Sequence, residues 1–333
     1  MTAKIEGKTV DGKRRGFTLV ELLTTIGIIA ILIALLVPSL SLVRKVSKET
    51  AQKSQFATID MALGAFKNDY GEYPPSNMDP MPFDNYCGAQ KLAEALVGWD
   101  LLGFHPKSAW RADGFDGLTA NGEWTYDPQN KRLGASLDER RGPYLELATA
   151  KVFRLGVSGA GANDGLFNDT ASLDGSRFVI CDVFGVKKIN VNPIVAGVVG
   201  KSVSAGTPIF YYRANTSSKN LTDAVDPVNS ALGFTSRIYN VYDNDALVRL
   251  GVMTDVTGMI GHPLKVQDGV GDYPVFYNYE GFNYGTGIAH GIVDPKVFKT
   301  TGGRKWPYRP DSYILISAGM DGLYGTSDDI HNF

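Results

Sequence analysis

The sequence has 333 residues, with 33 basic and 35 acidic side chains and a formal net charge of −2 at pH 7. Charges in near balance give no reason to expect nucleic acid as the main partner. The length suits one large domain or two modest ones, and a hydrophobic content of 44% is enough for a sizeable core.

The N-terminal segment joins a short basic stretch to a long apolar one. Lys13, Arg14 and Arg15 precede the run Phe17–Val37, in which Glu21 is the only charged side chain. As a helix these residues would span roughly 31 Å, about the thickness of one hydrocarbon core. No comparable run follows, so the sequence predicts a single membrane span.

Three interpretations of this segment compete. A secretory signal peptide would be cleaved beyond the apolar stretch, but the stretch is too long and has an acid near its start. A signal anchor explains the length and leaves Glu21 unexplained, because a carboxylate in lipid costs about 2.5–3.5 kcal/mol on insertion scales. Cleavage between Gly16 and Phe17 would create an α-amine close to Glu21, and such an amine on a neighbouring subunit would neutralise the acid.

The residues around this bond resemble the signal of type IV pilins and type II secretion pseudopilins. The resemblance is carried by Pro38 and by the segment Lys13-Arg14-Arg15-Gly16-Phe17-Thr18-Leu19-Val20-Glu21. It implies that a prepilin peptidase cleaves after Gly16 and methylates the amine of Phe17. It also implies that Glu21 pairs with the Phe17 amine of an adjacent protomer.

The resemblance also implies partners and a location. The partners would be further copies of this chain, other pilins or pseudopilins, the prepilin peptidase and an inner-membrane assembly platform. The chain would cross the bacterial inner membrane once, with its head in the periplasm, and would then enter a filament in the periplasm or at the cell surface.

The resemblance and the hydrophobic pattern together predict four segments: a leader at residues 1–16, a membrane and assembly helix at 17–42, its periplasmic continuation at 43–70 and a head at 71–333. Pro38 is expected to kink or locally open the helix, since it lacks an amide donor. Apolar residues at steps of three and four predict a buried helical stripe: Phe56, Ile59, Leu63, Phe66 and Tyr70. Gly71 and Pro74-Pro75 would end the helix.

Residues 71–333 are rich in turn-forming residues with short apolar runs between them. The runs predict an α+β head with a short helix at Ala89–Gly98 and strands at Phe178–Val183, Ile209–Tyr212, Val275–Tyr279 and Tyr313–Ser317.

Within the pilin family the head is most similar to the major pseudopilin of type II secretion. The similarity is carried by Tyr70-Gly71-Glu72-Tyr73-Pro74, Gly142-Pro143-Tyr144-Leu145, Asp182-Val183-Phe184-Gly185 and Ile316-Ser317-Ala318-Gly319-Met320-Asp321-Gly322. It implies a pilin-like fold, with a long N-terminal helix packed on an antiparallel sheet and with large loop insertions.

The C-terminal segment 321–329 holds three carboxylates and two glycines. Such a loop suits a hard cation, although its spacing is not that of an EF-hand. The resemblance to the major pseudopilin assigns Asp321, Asp328 and Asp329 as ligands of Ca²⁺. A plain Asp-Gly turn with a solvated acidic end is the alternative.

Two cysteines, Cys87 and Cys181, lie in the head. Outside the cytoplasm an even number suggests one disulfide, and two buried free thiols are the alternative.

The histidines are far apart in sequence, and the chain has no zinc pattern, phosphate-binding loop or nucleophile elbow. The sequence therefore favours a structural filament subunit over an enzyme. A membrane-tethered periplasmic hydrolase or ligand-binding protein with a pilin-type anchor is the alternative.

Overall fold

The computed structural model describes residues 16–77, 86–114, 125–126, 137–147, 149–159, 162–191, 201–219, 237–255, 260–265, 276, 291–294, 296 and 306–333. The chain divides into two compact units, Met1–Ser47 and Lys48–Phe333. Helix α1, Leu19–Tyr70, contains residues of both units.

Local chemistry determines where α1 begins and ends. The hydroxyl of Thr18 accepts the backbone N–H of Glu21 at 3.2 Å, and Glu21 Oε2 accepts the backbone N–H of Thr18 at 3.0 Å. This reciprocal capping box satisfies two donors of the first turn. At the other end Gly71 takes a left-handed φ of 84° and donates its N–H to the Lys67 carbonyl, which confirms the predicted stop.

Helix α1 is continuous through Pro38 in the single chain, and the predicted kink or opening in an assembled filament stays a prediction. Two hydroxyls bond to carbonyls near this proline: Ser39 Oγ donates to Leu36 O at 2.9 Å and Ser41 Oγ to Pro38 O at 2.7 Å.

The predicted stripe of α1 is confirmed as the part of the helix that packs in the head. Phe56, Ile59, Leu63 and Phe66 are each at most 3% exposed. The half-buried Tyr70 lies edge-to-face against Phe104, with ring centroids 5.0 Å apart. The stripe therefore supplies one of the two apolar clusters of the head.

The second helix, α2 (Gly88–Val97), confirms the predicted short helix to within one residue at each end, and all ten of its residues are buried. A third helix, α3, spans Asp245–Arg249.

The strands within the described residues form three small antiparallel sheets. The first pairs β1 (Val152–Arg154) with β2 (Phe178–Ile180), and the second pairs β3 (Lys187–Val191) with β4 (Lys201–Ala205). The third has the order β5-β6-β7, formed by Phe210–Arg213, Tyr313–Ser317 and Ile330–His331. An antiparallel bridge between Cys181 and Pro208 connects the end of β2 to the segment that leads into β5.

This architecture confirms the predicted α+β, pilin-like class, with small sheets where the sequence predicted a single sheet. Three of the four predicted strands correspond to β2, β5 and β6. The fourth, Val275–Tyr279, lies outside the described residues apart from Phe276, which is buried against Tyr212.

Candidate processing and assembly site

Gly16 and Phe17 lie just before α1 and are both exposed, with Phe17 at 75%. A Cβ atom built on Gly16 would meet nothing within 4 Å among the described residues. Packing among the described residues therefore gives no reason for a glycine at position 16, and its role in cleavage stays a prediction.

Glu21 forms hydrogen bonds with Thr18 of its own chain, and the local sequence pattern indicates these bonds. Besides the backbone capping contacts, Thr18 Oγ1 donates to Glu21 Oε2 at 2.8 Å. The Thr-x-x-Glu spacing ahead of an apolar run is the signature of a capping box, and sequence reasoning that considered only charge missed it. Pairing of Glu21 with the amine of an adjacent protomer stays a prediction.

The first part of α1 presents a largely apolar surface. Every large apolar side chain from Phe17 to Val46 is at least 44% exposed. Among the described residues α1 alone is long and apolar enough to cross a membrane. The hydroxyls of Thr24 and Thr25 donate to helix carbonyls at 2.9–3.0 Å, so they add no unsatisfied donors to this surface.

A row of polar side chains on the head part of α1 binds the backbone that follows β2. Lys48 Nζ donates to Phe184 O at 3.0 Å, and Gln55 Nε2 donates to Cys181 O at 2.9 Å. Between them the fully buried Gln52 accepts the N–H of Val183 at 3.0 Å. These contacts position α1 on the head, and no local sequence pattern indicates them.

Asp60, farther along α1, extends the polar attachment to the C-terminal strands. Its Oδ1 accepts Tyr313 Oη at 2.8 Å and Asn332 Nδ2 at 3.1 Å. These bonds connect the helix to β6 and to the residues that follow β7.

Asp182 is a buried carboxylate where three segments of the head meet. Its Oδ1 accepts the backbone N–H groups of Phe184 and Thr207, each at 3.1 Å, and its Oδ2 accepts Ser317 Oγ at 3.0 Å. Burial raises its pKa to about 7, although these hydrogen bonds and the charge of Lys48 act in the opposite direction. We assign it a structural role.

The C-terminal loop directs its carboxylates mainly at its own backbone. Asp328 Oδ2 accepts the N–H groups of Met320 and Asp321 at 2.8 and 3.1 Å, and Asp321 Oδ1 accepts that of Leu323 at 2.8 Å. Gly319 has a left-handed φ of 68°, and a Cβ there would collide with the Asp328 backbone. These contacts close the loop on its own backbone.

The three predicted calcium ligands do not converge in this arrangement. No group of three or more acidic, histidine or cysteine side chains within the described part of the chain is placed to hold a metal ion. Asp329 Oδ2 accepts Gly325 N–H at 2.8 Å, whereas its Oδ1 is buried with no hydrogen-bond partner.

Negative charge in this loop is only partly compensated. Burial, reinforced by the charge of Asp328, raises the pKa of Asp329 well above its ordinary value, and the same two causes raise the pKa of Asp321. Burial also acts to raise the pKa of Asp328, but hydrogen bonds from Thr326 and from backbone N–H groups outweigh it and lower that pKa.

Cys87 and Cys181 are free, buried thiols. The structure therefore agrees with the alternative of two buried cysteines and not with the predicted disulfide. Cys87 lies directly before α2, Cys181 directly after β2, and both belong to one apolar cluster. Burial raises the pKa of Cys87 to about 11 and that of Cys181 well above its ordinary value. Both thiols therefore stay protonated and unreactive near neutral pH.

Comparison with known proteins adds one finding, at the N-terminus. Residues 11–37 match the family model of the prokaryotic N-terminal methylation motif. A search of curated proteins and a search of solved structures each found no significant match. The matched segment contains Gly16, Phe17 and Glu21 and ends at the last residue of the apolar run. The chain therefore carries the prokaryotic N-terminal methylation motif, which is the signal of the type IV pilins and pseudopilins.

Proposed function

We propose that this protein is a structural subunit of a filament, a type II secretion pseudopilus or a related type IV pilus, and that it is not an enzyme. The exposed apolar surface of α1, with a single acid in its first turn and a methylation signal around it, carries the proposal. In the membrane this surface is solvated by lipid, and in a filament the same surface would be covered by other copies.

Removal of residues 1–16 would leave the apolar helix on the protein and create the amine that assembly needs. Among the described residues, the hydrogen bonds to the Glu21 carboxylate fall on Oε2. Oε1 would accept the Phe17 amine of the adjacent protomer while Thr18 holds the carboxylate in place. Charged side chains within a membrane are generally paired, because a partner of opposite charge lowers the cost of an isolated charge in lipid.

Between the two filament systems, the head favours the secretion pseudopilus. The motifs that resemble the major pseudopilin lie where α1 attaches to the head. Asp69 of α1 accepts Tyr144 Oη at 2.6 Å. The backbone of 181–184 binds Lys48, Gln52 and Gln55 of α1. A pseudopilus subunit would begin in the inner membrane with its head in the periplasm and would need an assembly platform there.

The substitution Glu21→Gln tests the assembly role, because it keeps the size of the side chain and removes its charge. We expect the variant to be processed and inserted in the membrane but to yield few sheared filaments. Glu49→Gln, the same change on α1 beyond the apolar run, is the matched control and should assemble normally. A wild-type filament yield from Glu21→Gln would contradict the pairing.

We also propose that Ca²⁺ binds the C-terminal loop after a rearrangement of its carboxylates. The partnerless Oδ1 of Asp329 and the raised pKa values of Asp321 and Asp329 support a cation there. Asp321 and Asp328 would have to release backbone N–H groups to become ligands.

The calcium proposal predicts that excess EDTA lowers the melting temperature of the full chain in detergent micelles and that added Ca²⁺ restores it. Asp329→Asn should abolish the response to EDTA. An unchanged melting temperature of the wild type in EDTA would contradict calcium binding.

A further inference from the structure

The head contains a polar cavity of about 400 Å³ that none of the processing or assembly residues lines. It lies where the segment after α1 meets the end of β5 and the segment 237–243. Its polar lining includes Ser76, Arg213, Asn215, Arg237, Asn240 and Asp243. We call it the two-arginine cavity.

Hydrogen bonds between the lining segments fix the walls of the two-arginine cavity. The N–H of Arg213 donates to Ser76 Oγ at 2.9 Å, and Ser76 Oγ donates to Asp243 Oδ2 at 2.5 Å. The N–H of Asn215 donates to the carbonyl of Ile238 at 2.7 Å. All three segments are thus tied together, and the cavity belongs to the folded head.

The charge of the lining favours an anion. Two arginines and one acid, Asp243, are among the lining residues, and Asp243 Oδ2 accepts Ser76 Oγ. Arg237 is only 2% exposed, so solvent screens its charge only weakly. A guanidinium binds carboxylate or sulfate oxygens through two parallel N–H donors.

Arg213 is held by a contact that a ligand can replace. Its Nη2 lies 2.6 Å from Glu72 Oε2, and the Glu72 side chain is 68% exposed. Exposed ion pairs of this kind contribute little to stability, so an incoming anion would displace Glu72 at little cost.

We propose that the two-arginine cavity binds a small acidic sugar, with its carboxylate or sulfate on Arg213 and Arg237. The volume lies within the range of small-molecule sites, about 300–1,000 Å³. Side-chain amides and hydroxyls in the lining match sugar hydroxyls. None of the described lining residues is aromatic, so recognition depends on charge and hydrogen bonds rather than on stacking against a ring.

Isothermal titration calorimetry of the full processed chain in detergent micelles tests this proposal. The probes are galacturonate, galactose 6-sulfate, neutral galactose and inorganic sulfate. We expect the two acidic sugars to bind, more weakly as salt is added, and galactose to show no binding. Arg213→Gln should weaken binding by about tenfold or more, as loss of a hydrogen bond to a charged group does.

Glu72→Gln is the matched control, because it breaks the same ion pair and leaves the guanidinium in place. It should bind acidic sugars at least as tightly as the wild type, and both variants should fold because the pair is exposed. Equal loss in the two variants, binding of galactose as tight as galacturonate, or no binding of either acidic sugar would overturn the proposal. Sulfate alone binding as tightly as galactose 6-sulfate would overturn the assignment to a sugar.

Discussion

A substitution at Gly16 can test processing without disturbing the fold. A Cβ atom there meets nothing within 4 Å among the described residues, and the same is true of Gly27 inside α1. Alanine at either position is therefore compatible with the fold, and a difference between the two variants reports recognition by the peptidase.

We predict that Gly16→Ala leaves an uncut precursor, whereas Gly27→Ala is processed like the wild type. Mass spectrometry of the membrane fraction measures both outcomes. Normal processing of Gly16→Ala would show that the peptidase does not depend on this glycine.

Asp182 predicts a pH dependence of stability. Burial raises its pKa in the folded state from an ordinary value of 3.8 to about 7, so the folded state binds more protons than the unfolded chain between these values. The free energy of unfolding should therefore fall as pH rises through this window, and the contribution of Asp182 should level off above it.

The substitution Asp182→Asn should remove this contribution, because an amide can keep the bonds from Phe184 and Thr207 without a charge. Between about pH 5 and about pH 8 we expect the wild type to lose roughly 2–3 kcal/mol more than Asp182→Asn. Urea unfolding of both proteins in detergent micelles at the two pH values checks this. Parallel losses would assign the pH dependence to other groups.

At the scale of elements, attachment of α1 to the head combines an apolar stripe with polar contacts to backbone. Gln52 is fully buried and satisfies the N–H of Val183. Gln52→Leu leaves that N–H buried without its partner, and we expect the free energy of unfolding to fall by about 1–3 kcal/mol.

Lys53→Leu provides the control for Gln52→Leu, because it places the same residue on the exposed side of α1. Its effect should stay within about 0.5 kcal/mol. Equal stability of the two variants in chemical unfolding would show that the Gln52 contact does not hold the helix.

Elements with a strong local pattern were predictable from the sequence. The stripe of α1, its end at Gly71 and the apolar run of β6 follow from periodicity and turn chemistry. The Gln52–Val183 contact joins residues 131 positions apart, so no local pattern indicates it. Strand β3, Lys187–Val191, is largely polar, and β7 has only two residues, which leaves both without a recognisable signal.

The residues of the candidate sites also differ in how far the sequence predicts them. Gly16, Phe17 and Glu21 form a contiguous motif and were identified from the sequence, and the methylation motif matches the same segment. Whether Asp321, Asp328 and Asp329 converge on one point depends on the closure of a loop, which residue types and spacing do not determine. The two-arginine cavity joins residues from positions 75 to 243 and has no sequence signature.

At the scale of the whole molecule, one helix contains two different surfaces. Its first part exposes every large apolar side chain up to Val46, and its later part buries Phe56, Ile59, Leu63 and Phe66. A membrane protein that functioned alone would need only the hydrophobic run. The acid in the first turn and the methylation signal are the basis of our proposal that the subunit leaves the lipid and packs against other copies of itself.

The most direct test is the mass of the intact protein in sheared filaments purified from cells that make it naturally. We expect a polymer whose subunits begin at Phe17 and carry a methyl group on its amine. A protein that retains residues 1–16 and sediments only as single chains would contradict the claim that cleavage creates the partner of Glu21.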